Sequence, residues 1–169
     1  MRNLIVAALG AALLLSPICV GAQTTPAAAP PPPPPPYGMS IGFDAAKKAI
    51  AAAEAEAKKN NWPVAIAVVD TGGHLVAFSR LDNTQIGSVD IAIGKAVTAN
   101  NLKRATKALQ DGIAQGGANL RLLAVKGITP LEGGVPIVVD GKIIGGIGVS
   151  GVMSNQDAEC AIAGANAAK

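Results

Sequence analysis

The sequence predicts an α+β fold, a small antiparallel sheet made of two β-hairpins with helices packed on it in the order α-β-β-α-α-β-β-α. Two pairs of short apolar runs carry this expectation. One pair is joined by the turn signal Asp70-Thr71-Gly72-Gly73 and the other by Asp140-Gly141. The strands are also apolar at nearly every position instead of alternating, so both sheet faces must be covered, by helices or by another subunit.

The chain of 169 residues opens on Met1-Arg2-Asn3, runs almost wholly apolar from Leu4 to Leu15, and reaches Val20-Gly21-Ala22. A basic tip, a short apolar stretch and a small-residue exit make residues 1–22 a secretory signal peptide, cut after Ala22. The apolar run is broken at Ser16-Pro17, short of the roughly 20 residues that span a bilayer. No membrane span is expected in the mature form, and bulky Ile18 makes a poor lipobox before Cys19. The mature protein is therefore expected in the periplasm or outside the cell. Cleavage removes Arg2 and leaves 13 Lys and Arg against 11 Asp and Glu, a net charge of +2. Those charges are scattered and aromatic residues are few, so nucleic acid is not an expected partner. Cys160 is left without a disulfide partner and reads as a small apolar residue of the last helix.

Residues 23–38 culminate in seven consecutive prolines, Pro30 to Pro36. Proline lacks an amide donor and fixes φ, so this stretch is expected to be a polyproline II spacer without a core of its own. The folded domain is then residues 39–169, large enough for a single core.

Asp44 to Asn60, rich in Ala, Lys and Glu, predicts a helix with Asp44 as its N-cap, and Pro63 blocks its continuation. Val64 to Val69 and His74 to Arg80 predict the first hairpin. Ser88 to Asn100 and Leu102 to Asp111 read as helices, and Gly116-Gly117 as a loop. Val135 to Val139 and Lys142 to Val149 predict the second hairpin, where Asp-Gly suits a type I′ turn. Ser154, with Asp157 three residues on, predicts a capped final helix.

Candidate functional residues are few. His74 is the only histidine, which excludes a His-His metal site, and the absence of a Cys cluster excludes structural zinc. One imidazole can still be an axial haem ligand or a proton shuttle, or merely an exposed turn residue opening a strand. Arg80 and Asp82 flank Leu81, fit either to fix a polar ligand or to pin the hairpin as an ion pair. Lys95 is a lone cation in an apolar, small-residue helix, placed to bind a carboxylate or propionate or to snorkel. Glu132 precedes Gly133 and Gly134 in a loop. Gly146 to Gly151 contains a literal GxGxxG, but it follows a hairpin strand instead of opening a βαβ unit. Its glycines read as sites where backbones approach closely.

Taken together, Val68 to Val76, Arg80-Leu81-Asp82, Ser88 to Ala99 and Gly133 to Gly141 running into Gly148-Val149-Ser150-Gly151 resemble the GlcG/HbpS-type family of haem-binding and haem-degrading domains. The resemblance covers residues 39–168. It implies a compact α+β domain with an antiparallel sheet, assembly into a homo-oligomer, and haem as a possible cofactor. Some relatives ligate haem through a histidine of the first helix, and Asp44 to Asn60 has none. The implied function is an exported haem or tetrapyrrole carrier, sensor or slow degrader. His74 is then the candidate metal ligand, and His74, Arg80, Lys95, Gly133 and Gly134 are the candidate cofactor contacts. Two other readings stay open. One is an enzyme or binder of a small organic acid at an intersubunit pocket near Gly133, Gly134 and Arg80. The other is a ligand-free structural oligomer. No acid–base pair at a diagnostic spacing assigns a reaction.

Overall fold

The first helix forms where alanines recur every three or four residues. In a computed structural model, which describes residues 32–169, α1 (Phe43–Lys59) buries Ala46, Ala49, Ile50, Ala53 and Ala57 as one stripe. The expected signal peptide and most of the proline spacer lie outside the described residues. Asp44 does not cap α1. The helix starts after Gly42, and Asp44 sits in its first turn, paired with Lys47 at 2.9 Å on the surface. An acid there suits the positive end of the helix dipole.

The strands are β1 (Ala65–Asp70), β2 (Leu75–Arg80), β3 (Gly134–Val139) and β4 (Lys142–Ser150). They form one sheet in the order β2-β1-β4-β3, and every neighbouring pair is antiparallel. Asp140 and Gly141 both adopt positive φ, 48° and 71°, as a type I′ turn requires. The first hairpin is closed by Asp70, whose Oδ1 accepts the Gly72 and His74 amides at 2.8 and 2.9 Å.

Helices α2 (Ser88–Asn101), α3 (Thr106–Ala114) and α4 (Ser154–Ala167) complete the predicted order. The middle of the chain departs from the expectation in two places. The second of the middle helices starts at Thr106, not Leu102, with Lys103 in the left-handed region (φ 53°). Good helix formers at 102–105 yield because Thr106 is required beneath β3, where its hydroxyl accepts the Gly134 amide at 2.9 Å. Beyond the expected loop glycines lies an unforeseen 3₁₀ segment, Gly117–Ala124.

The uniformly apolar strands alternate in size instead of polarity. Ile66, Val68, Ile147 and Val149 belong to the large core cluster beneath α1 and α4, which includes Cys160 and Ala161. Ala65, Ala67 and Val69 face α2 through Ala92 and Ala96, and Gly148 and Gly146 extend that shallow surface along β4. A Cβ on Gly148 would lie 2.2 Å from the Ala92 carbonyl oxygen and 2.4 Å from the Ala96 nitrogen. The glycine cluster therefore admits a helix onto the sheet at a distance no side chain permits.

The chain meets the sheet slightly earlier than residue 39. The Ile143 amide donates to the Pro36 carbonyl and the Gly38 amide to the Ile143 carbonyl, both at 2.8 Å. Tyr37 reaches the Asn100 carbonyl at 2.8 Å, with the Lys103 ammonium 4.2 Å above its ring.

Candidate functional site

Three of the five candidate residues meet in one buried centre. Lys95, on α2, is only 2% exposed. Its Nζ donates to Asp157 Oδ2 at 2.8 Å and to the Val149 carbonyl at 2.9 Å. The carboxylate that Lys95 binds is thus the protein's own. Asp157 stands on α4, across the sheet from α2, so the pair links both helical layers around the end of β4. Its other oxygen, Oδ1, accepts the Val152 amide at 3.2 Å. Burial pushes the Asp157 carboxyl above its ordinary value, while Lys95 and the Val152 and Gly151 amides pull against that rise.

Gly133 and Gly134 close the centre from the β3 side. Gly133 has φ +122°, and a Cβ there would lie 2.8 Å from Lys95 Nζ, Asp157 Cβ and the Val149 oxygen. Gly134 exchanges hydrogen bonds with Thr106, its amide donating at 2.9 Å and its carbonyl accepting at 3.3 Å. Both glycines are buried inside the protomer, and Gly134, on β3, stands at the opposite edge of the sheet from Arg80 on β2. Nor does Lys95 snorkel, because its ammonium is held internally by Asp157 and the Val149 carbonyl.

His74 and Arg80 lie elsewhere. The pairings Val69 with Leu75 and Ala65 with Arg80 put them at opposite ends of β2. Five residues of strand, at about 3.3 Å each, separate Leu75 from Arg80 by roughly 16 Å. Arg80 shares the sheet end of the buried centre but stands two strands from Ser150. It forms no ion pair with Asp82, contrary to the hairpin-pin expectation, and neither residue takes part in an ion pair among the described residues. The His74 side chain is 82% exposed, with Nδ1 at 3.5 Å from Asp70 Oδ1. The His74 amide, helped by the Gly72 amide, holds the Asp70 carboxyl below its ordinary value despite some desolvation. The turn is tied to α2 by Asn100 Nδ2, which donates to the Thr71 carbonyl at 3.0 Å.

Between His74 and Arg80 runs a strip that sequence reasoning missed. α1 covers one side of β2, where Ser79 donates to Glu54 Oε1. On the other side α2 lies over β1, β4 and β3 and leaves Leu75 (50%) and Phe78 (37%) exposed beside Arg80. Their partners Val69, Ala67 and Ala65 all belong to the α2-facing layer, so the three side chains share one face. This face offers apolar contact flanked by an imidazole-bearing turn and a free guanidinium. No group of three or more His, Cys, Asp or Glu residues fit to hold a metal ion occurs among the described residues.

A family model described as haem degrading protein HbpS-like matches residues 41–166. The chain belongs to the HbpS-like family. It is 48% identical over 101 residues to protein GlcG of Escherichia coli, an alignment covering 60% of this chain and 74% of that one. A double mutant of Streptomyces reticuli HbpS superposes with a TM-score of 0.70 and 34% identity, over 83% of this chain and 97% of that. A PduOC–haem complex gives 0.70 and 29%, over 76% and 95% respectively. This HbpS-like chain shares the α+β fold of these structures, with the sheet and helix order predicted from its sequence. Among its described residues no helix is long and apolar enough to cross a membrane.

Proposed function

We propose that this HbpS-like chain is an exported protein that binds haem or a related tetrapyrrole as a carrier, sensor or slow degrader. Kinship carries the reading, since the family is described as haem-degrading and a relative covering most of this chain has been solved with haem. The described residues fit such a ligand on one side only. Leu75 and Phe78 give the macrocycle an apolar bed, Arg80 suits a propionate, and His74 is the one imidazole available to iron. When bound, haem supplies a redox-active iron.

The chain's own residues prepare this face in three ways. The Asp70 carboxylate lies 3.5 Å from Nδ1, so Nε2 is the ring nitrogen without an acid beside it and the one to offer a ligand bond. The two apolar side chains exclude water from one face of a planar ligand. Arg80 presents a planar guanidinium whose paired N–H donors match the geometry of a carboxylate. The opposite side of the ligand stays open on a single protomer, and we assign its cover to a second copy in a homo-oligomer. Lys95, Gly133 and Gly134 act indirectly, by fixing α2 and so the edge at which it stops.

The test is a haemin titration of the purified protein followed in the Soret region. A shifted, saturable band is expected, weakened in His74→Ala and in Arg80→Gln. Sedimentation should show the same oligomer in both variants, separating ligand loss from misassembly. No band shift at stoichiometric haemin would overturn the reading.

A further inference from the structure

A concavity lies at the open end of the first hairpin, beyond Arg80. It is a shallow cleft of about 310 Å³ floored by Trp62, Pro63 and Leu81 and rimmed by Lys58, Asp82 and two asparagines, Asn61 and Asn83. That volume is at the lower limit of small-molecule sites, enough for a compact ligand but not a macrocycle.

The walls are fixed. Trp62 donates its amide to the Ala57 carbonyl at 2.9 Å, and Leu81 donates to the Val64 carbonyl at 3.0 Å. Buried Thr84 returns its hydroxyl to the Leu81 carbonyl at 2.7 Å. Asn61 and Asn83, in the turns on either side, both hold left-handed backbone conformations with φ of 55° and 64°. Asparagine is the side chain that takes this turn conformation most readily.

The charges select the ligand. Lys58 is already engaged, its Nζ 2.8 Å from Glu54 Oε2, and Glu54 is held in turn by Ser79. Asp82 lines the cleft and has no ion-pair partner among the described residues. The last turn of α1 closes the same side, and its two lysines, Lys58 and Lys59, are each paired with a glutamate of the helix, Glu54 and Glu56. An indole floor attracts cations through its ring quadrupole. With the lysines neutralised by their own glutamates, the unpaired carboxylate and the indole favour positive charge.

We propose that this cleft binds a small organic cation, an ammonium group with a compact apolar body that packs on Trp62 while its charge faces Asp82. The site is distinct from the proposed haem face and does not depend on it.

Trp62 is the only tryptophan in the chain, so its fluorescence reports on this cleft alone. Choline should change the emission saturably at constant ionic strength, and its uncharged carbon isostere should not. Asp82→Asn should weaken choline about tenfold, the loss of one favourable charge contact, with the unfolding midpoint unchanged because Asp82 is exposed. Calorimetric titration of Trp62→Phe should show the same direction of loss independently of fluorescence. A non-saturating response, an equal response to the isostere, or full binding by Asp82→Asn would overturn the proposal. Saturable binding of acetate in place of choline would also overturn it and assign the cleft to anions at Lys58. Haemin binding is read separately in the Soret region, so failure of either site leaves the other intact.

Discussion

Replacing Lys95 by methionine tests what the buried centre contributes. The substitution keeps the length of the side chain but removes the charge that Asp157 faces at 2.8 Å. Both side chains are almost inaccessible, at 2% and 3%. Breaking one partner of such a pair strands the other charge and costs about 3–5 kcal/mol. The double variant Lys95→Met, Asp157→Leu strands no charge, though the Val152 amide loses its acceptor, worth roughly 1–3 kcal/mol. The double variant should thus be more stable than Lys95→Met alone, a coupling that urea unfolding at fixed protein concentration resolves. The deficit of Lys95→Met should also depend on pH. Burial already raises the Asp157 carboxyl above 3.8, and without Lys95 that rise is opposed only by the amides. A carboxyl raised in the folded state favours folding below its unfolded value and loses that contribution as pH rises through its folded value. Relative to the parent, Lys95→Met should be closest in stability near about pH 4 and furthest from it near neutrality. A cost below about 1 kcal/mol, simple additivity in the double variant, or a pH-independent deficit would refute a buried, charged pair.

Gly133→Ala should destabilise the protein by about 2–4 kcal/mol, because φ +122° disfavours any side chain and the new Cβ would meet Lys95, Asp157 and the Val149 oxygen together; a loss under about 1 kcal/mol in chemical denaturation would contradict this. The Cys160 thiol is buried, and desolvation, followed by the nearby Asp157 charge, pushes it up to about 12. It should resist iodoacetamide in the native protein at mildly alkaline pH and react fully in denaturant. Rapid native labelling would show that α4 opens or packs differently.

Elements were more legible than partnerships. Two hairpins, the sheet sense and the helix order follow from turn residues and short apolar runs, because those signals are local. The Lys95 anomaly was visible as a cation in an alanine-rich helix, but its partner lies 62 residues away. Asp157 carries the same local signature as an ordinary helix-start acid. In the structure the Met153 amide bonds Gln156 Oε1 instead, and Asp157 turns inward. Thr106 was hidden by the strong helix propensity of the four residues before it. A binary apolar–polar reading also groups Ala, Gly, Val and Ile together, so the size alternation of β1 and β4, which decides where α2 seats, does not register as a pattern.

That alternation has a consequence for the exposed edge. α2 settles on Ala65, Ala67, Gly146 and Gly148 because these positions are small, with Val69 the one larger side chain of β1 in that layer. The matching face of β2 carries Leu75, Phe78 and Arg80, too tall for a helix at the same height. The helix therefore stops short of β2, and an edge strand is left with two large apolar side chains in water. Soluble proteins usually blunt such an edge with charge, proline or a cover. Here the outward face has a single charge, Arg80, at its end, and no proline lies within Leu75–Arg80. A strand built this way is stable in solution when something apolar and partly anionic lies along it. A planar tetrapyrrole with carboxylate arms meets both requirements, which ties the proposed ligand to the packing of the core and not to His74 alone.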